Sequence, residues 1–559
     1  MHVFYAVIFF VCTLNNIFLA AQSALTQAIS NKYCNNRADY VIVGVGTAGA
    51  LLANQLSGDL TTSVIALHRG ENLTDDPLIK YSRNAALTVG ALPLQTGLYI
   101  NGFTTPQINA DNRELLWGLA LPEGGASSVN GMAWSRETNF INTAWEAIAG
   151  PQWSVQILTN LYKQLEQYYG QTTDPAARGF SGPLTIRQVA QSQLSQVSQK
   201  FTQAIINATG FPFVLDYNDP NTPIGASTQL QYTQSIPDGS LRMSSAATFL
   251  NSSVITPAGL GVNGRKLQVF FDATALRTIW SGTTAVGVEY IQNGITKQVF
   301  AQKGVIVCAG LFSSPFLLHS GIGASSLLNS LNIPVIYNNP SVGQGLADQP
   351  SLLMVFSTNP DDTSVPPLDP NSLFTQIAYL PDPTGDQTIR RLRIASTNPV
   401  PGVLIVLMDV LQPVSRGSVS INSSDPLASP VIDEGLFTNS PDLDLLQRGM
   451  QIYIKNINTA LQAIDLDYEL IVPNPNILTD DVAVINYIKE NTNALQHFQS
   501  HCRMAPLNQG GVVDSTGRVY GVQNLFVADD SIIPLCMDGS PLASAYLMAA
   551  NIARQILSQ

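Results

Sequence analysis

Three glycines close to the N-terminus carry the first chemical signal. In Gly44-Val45-Gly46-Thr47-Ala48-Gly49 they follow the apolar run Ala38-Asp39-Tyr40-Val41-Ile42-Val43 and precede a helical pattern through Ala50, Leu51, Leu52, Ala53 and Leu56. The first glycine suits a tight turn, the second lets the backbone approach a pyrophosphate, and the third lets a helix pack closely on a strand. The helix N-terminus then offers unpaired N–H groups and a partial positive charge to phosphate oxygens. A second strand, Ser63-Val64-Ile65-Ala66-Leu67, arrives at the spacing of a βαβ unit. The chemistry this pattern points to is dinucleotide binding, with Gly44, Gly46, Thr47, Ala48 and Gly49 as the phosphate-binding loop. At the end of the second strand, where an acidic residue normally accepts hydrogen bonds from ribose hydroxyls, the sequence reads Leu67-His68-Arg69-Gly70. A neutral imidazole accepts one hydrogen bond, so His68 is a poorer ribose clamp than a carboxylate.

The chain that must position this loop has 559 residues, more than one hydrophobic core usually supports, which predicts at least two cores built from interleaved stretches. It is 45% hydrophobic and 12% charged, a globular composition. Its 27 Lys and Arg against 39 Asp and Glu give a net charge of −12, with no basic run to track a phosphate backbone, which argues against a nucleic-acid partner. Residues 1–24 are apolar and end in small residues, a pattern of export: a signal peptide, with an uncleaved N-terminal membrane anchor as the alternative. Cys34, Cys308, Cys502 and Cys536 show no metal-like spacing, leaving one disulfide or buried free thiols open. Sequons at Asn72, Asn207, Asn251 and Asn422 agree with export without adding much to it.

Three further segments extend the pattern: Gly124-Gly125-Ala126-Ser127-Ser128-Val129-Asn130-Gly131-Met132; Ala309 to Gly323 with Val342-Gly343-Gln344-Gly345 after it; and a C-terminal run from His497 through Asp529-Asp530-Ser531-Ile532-Ile533-Pro534. Together, and in this order, they resemble the glucose-methanol-choline (GMC) oxidoreductases over nearly the whole chain. The resemblance implies an α/β and α+β fold: a Rossmann-like FAD-binding domain from residues 38–150, 235–350 and 500–559, interleaved with a substrate domain from 150–235 and 350–500 built on an antiparallel sheet with helices. It implies FAD as cofactor, with Gly125, Asn130, Gly131, Met132 and Asp529 at the cofactor and the backbone of Ala275 against the adenine. Val129 stands where some members carry the histidine that bonds FAD covalently, so the flavin is expected to be noncovalent.

Alcohol oxidation requires removal of a hydroxyl proton while a hydride leaves the carbon, and a histidine near its reference pKa suits that task at neutral pH. By family position His497 is that base, and the second catalytic position falls on Ser540, where His or Asn is customary. Serine can donate and accept a hydrogen bond but cannot act as a base at neutral pH. Gln349 likewise replaces a customary histidine, and His501 stands where small residues are usual, although His497 and His501 without a third ligand make a poor metal site. The expected activity is FAD-dependent oxidation of a small-molecule alcohol, passing electrons to oxygen or another acceptor. Two alternatives stay open on the same scaffold: a hydroxynitrile-lyase-like lyase or cyclase with His497 as acid–base, and a degraded binding protein that has lost its cofactor.

Overall fold

The computed structural model describes residues 36–90, 97–221, 224–364 and 371–558; the apolar N-terminal segment and Cys34 lie outside them. Strand β1 (Arg37–Val43) leads through the glycine loop into helix α1 (Thr47–Leu56) and returns as β2 (Val64–Leu67). Val41, Ile42 and Leu51 are fully buried, as befits elements covered on both sides. Helix α2 (Gln196–Thr209) follows, and then β3 (Leu267–Phe270), β4 (Ala273–Ser281), β5 (Thr284–Gln292) and β6 (Ile295–Val307). Their sheet runs β4-β5-β6-β1-β2-β3, parallel from β6 to β3 and antiparallel from β4 to β6. Strand β6 joins the two regimes: its first half alternates between exposed and buried, whereas Val305, Ile306 and Val307, pairing with β1, are wholly buried.

A second, antiparallel sheet comes from β7 (Pro350–Ser357), β8 (Gln376–Leu380), β9 (Leu392–Val400) and β10 (Val403–Val410), with β11 (Glu469–Val472) and β12 (Thr492–Ala494) pairing β7. One face carries Leu392, Ile394, Leu404, Val406 and Met408, which share a core with Phe201 of α2 and with Ile457 and Leu461 of α3 (Lys455–Ile464). The other face holds Tyr379, Arg393 and Asp409, which are register partners across β8, β9 and β10. The chain then returns to the first sheet, where β13 (Leu525–Val527) pairs β6 in parallel, and ends in helix α4 (Leu542–Leu557), packed against α1. The alanine-rich sequence of α4, with Ala543, Ala549, Ala550 and Ala553 buried, allows that close approach. Cys308, Cys502 and Cys536 are buried free thiols, and no helix among the described residues is long and apolar enough to cross a membrane.

Candidate active site

A cavity runs from the glycine loop to the end of the second sheet. It is lined by Gly44, Gly46, Thr47 and Ala48, by His68 and Arg69 at the end of β2, by Ala275 of β4, and by Gly125, His497, Asp529 and Asp530. The glycines divide the work of the turn. A Cβ on Gly44, whose φ is +93°, would lie 2.4 Å from the Cys308 carbonyl oxygen, and one on Gly49 would lie 2.0 Å from the Gly44 carbonyl oxygen. A Cβ on Gly46 would meet nothing closer than Gly125 Cα at 3.8 Å, so its small size leaves room for a ligand rather than for protein. Gly46 is also the N-cap of α1, with no side-chain cap and no acidic residue in the first turn, which leaves the helix N-terminus open to an anion. Thr47 ties the loop down, its hydroxyl donating to the Gly124 carbonyl and accepting from Ser127 N–H, both at 3.3 Å.

His68 is buried, and burial holds its pKa down to about 4 against the opposing pull of the Leu121 and Pro122 carbonyls, so the ring is neutral. Its Nε2 is a buried acceptor with no partner in the protein, on a residue that lines the cavity. That orphaned atom is what a ribose hydroxyl would satisfy. Asp529 is engaged with protein: Oδ2 accepts from Gly310 N–H at 2.8 Å and from Ser313 Oγ at 2.7 Å, so it braces two cavity loops. Its neighbour Asp530, which the sequence reading passed over, also lines the cavity. Burial, with Asp529 and Glu137 close by, raises its pKa well above the usual carboxyl range, so it stays neutral and can donate as well as accept. The cavity therefore fits a dinucleotide: a backbone cradle at a helix N-terminus, an unpaired acceptor at the end of β2 and a neutral carboxyl. Asn130, Gly131 and Met132 do not line it. Asn130 Oδ1 instead accepts from Met132 N–H and Arg242 Nη1, both at 3.0 Å, and Met132 is completely buried at a φ of +63°.

At the far end His497 follows β12 directly, and one amide side chain fixes its ring. Gln349 Nε2 donates to the Gly539 carbonyl at 3.1 Å, which turns Gln349 Oε1 toward His497 Nδ1 at 2.7 Å. An oxygen there requires Nδ1 to carry the proton and leaves the lone pair on Nε2. Asp348 Oδ1 accepts from the backbone N–H of both His497 at 2.9 Å and Gln349 at 2.6 Å, locking the two segments together. The expectation of a His497 pKa near the reference value is corrected: burial, reinforced by the charge of Arg393, pushes it down to about 3. Ser540 is buried, and its Oγ accepts from Arg393 Nη1 at 2.5 Å. His501 is no ligand partner for His497. Its Nδ1 meets Ser314 Oγ at 2.6 Å, and no group of metal-ligating side chains occurs among the described residues. Sequence reading did not find Arg393, which lies 147 positions from Ser540 on another sheet; its one signal is a charged residue inside an otherwise apolar strand.

Fold and site together define a dinucleotide-binding oxidoreductase with a histidine at the substrate end of the cofactor cavity. Family models described as GMC oxidoreductase match residues 38–351 and 413–549, and the chain belongs to this family; it is an FAD-dependent enzyme. It is 26% identical to a glucose-methanol-choline family oxidoreductase, mfmG, of Annulohypoxylon moriforme, covering 96% of both chains. It is 28% identical to an alcohol dehydrogenase [acceptor] of Pseudomonas putida, covering 93% of this chain and 95% of that one. An FAD-dependent oxidoreductase from Chaetomium thermophilum shares the fold, with a TM-score of 0.81 at 24% identity over 93% of this chain and 99% of that one.

Proposed function

We propose that the protein oxidises the CH–OH group of a small-molecule alcohol, with His497 Nε2 as the base. The observation that carries this reading is the Gln349 amide, which presents an unprotonated Nε2 on a residue that lines the cofactor cavity. A substrate hydroxyl donating to Nε2 loses its proton there as charge develops on the oxygen. When bound, the noncovalent flavin supplies the two-electron acceptor for the hydride leaving the carbon. The imidazole is a weak base at rest, but the charge of Arg393 that weakens it also favours an alkoxide at the same place. Asp348 keeps the His497 backbone from drifting, so the ring stays within reach of the hydroxyl.

The reading is tested by product stoichiometry across primary, secondary and aromatic alcohols. One carbonyl product formed for each two-electron acceptor consumed supports it, whether oxygen or another acceptor serves. Substrate conversion with no acceptor consumed would instead assign a lyase or cyclase. We also infer export, supported by the apolar residues 1–24. N-terminal sequencing of protein recovered from the medium checks this: a start beyond about residue 24 is expected, and retention in the cell with Met1 intact would contradict it.

A further inference from the structure

Beyond His497, the second sheet delivers a buried cation to the active-site loop. Arg393 Nε donates to Asp409 Oδ2 at 2.7 Å, with the Asp409 side chain completely buried and that of Arg393 only 6% exposed. The Tyr379 side chain bonds the same guanidinium, and Nη1 reaches Ser540 Oγ. A buried ion pair of this kind seldom adds stability over well-packed apolar residues, because desolvating two charges offsets most of their attraction. Its place against the active-site loop therefore calls for a reason in the chemistry.

Guanidinium has donors only, so the Ser540 hydroxyl hydrogen cannot return to it. Among the described residues Ser540 Oγ makes no other recorded hydrogen bond, which leaves its O–H without an acceptor. Accepting from a cation also polarises a hydroxyl and makes it a stronger donor. The two ends of Gln349 hold His497 and Gly539, the residue before Ser540, and Pro541 lines the same cavity as His497.

We propose that Ser540 is a catalytic hydrogen-bond donor to the substrate oxygen, and that Arg393, held by Asp409, is the positioning residue that polarises it. The substrate oxygen then accepts from Ser540 O–H while its own hydrogen goes to His497 Nε2. The donor that the family supplies from one His or Asn side chain is here shared between a serine and an arginine from the other sheet. This deepens the alcohol-oxidation reading and rests on it.

The test uses the FAD-loaded protein with Ser540→Ala, Ser540→Thr, the charge-free pair Arg393→Met with Asp409→Leu, and the triple variant. Removing the pair together leaves no buried charge unpaired, and retained FAD confirms folding. Anaerobic flavin reduction by the best alcohol is expected to slow about 100-fold at saturation in Ser540→Ala, with KM changed little. Ser540→Thr should recover most of the rate, and the triple variant should be no slower than Ser540→Ala, because the two act as one unit. Acetate, whose carboxylate oxygen takes the place of the substrate oxygen, gives a readout free of turnover through its perturbation of the flavin spectrum. Its affinity should fall about 10-fold in Ser540→Ala. Equal acetate affinity in wild type and Ser540→Ala, no acetate binding to wild type, or fully additive rate losses would overturn the proposal. If no alcohol reduces the wild type, the alcohol reading fails by itself, and the acetate titration still judges the pair.

Discussion

The Nδ1–H of His497 has one acceptor, and that acceptor belongs to a side chain with no freedom to flip. Gln349 is fully buried, and reversing its amide would set Oε1 against the Gly539 carbonyl. Replacing Gln349 with Leu removes the constraint without adding charge. The expected outcome is a loss of about tenfold or more in the rate of anaerobic flavin reduction, with FAD still bound. His497→Ala should cost about 10²- to 10⁴-fold in the same assay, the usual worth of a general base. The pH profile follows from the depressed pKa. The competent neutral form exists above about 3, so kcat/KM should show no histidine limb as pH falls from 7 to 5. A limb centred near 6.5 would contradict the buried, Arg393-facing environment.

The glycine turn between β1 and α1 separates binding from folding. Gly49→Ala places a methyl 2.0 Å from the Gly44 carbonyl oxygen and is expected to destabilise the protein by about 2 kcal/mol or more, measured by chemical denaturation. Gly46→Ala meets no protein atom closer than 3.8 Å, so its expected outcome is weaker FAD binding with the stability of the apoprotein unchanged. Equal effects of the two substitutions would contradict this division. The turn was legible in the sequence because strand, turn and helix are contiguous and each glycine answers a local steric demand. His497 was legible only through family position, as nothing around it in sequence marks a base. The Arg393–Ser540 contact and the Gln349 bridge were not legible, since they join segments 147 and 148 positions apart through the register of a sheet no local pattern encodes. Asn130 shows the converse: it carries a clear motif, yet its side chain is spent on Met132 and Arg242.

Across the molecule, burial sets the charge states against one another. His68 and His319 are held down to about 4, and His497 and His501 to about 3, each by burial first. Their contribution to stability is complete above about 6.5 and is lost as pH falls through the depressed values. Burial raises Glu123, Glu137 and Asp348 to about 7, and also lifts Glu434, Asp529, Asp530 and Asp538. Their contribution is complete below about 4 and is lost as pH rises through the raised values. The raised carboxyls outnumber the depressed histidines, so Tm should be higher at pH 5 than at pH 7.5; a scanning-calorimetry series showing the reverse would contradict these assignments. The central claim, that a flavin cradled at the N-terminus of α1 takes a hydride from an alcohol deprotonated at His497, is tested most directly by the visible spectrum of the purified protein under anaerobic titration with alcohols. Flavin bands that an alcohol bleaches in the wild type, and bleaches at least about 100-fold more slowly in His497→Ala, are the predicted result. Bands that no alcohol bleaches, or bleaching at the same rate in the variant, would contradict it.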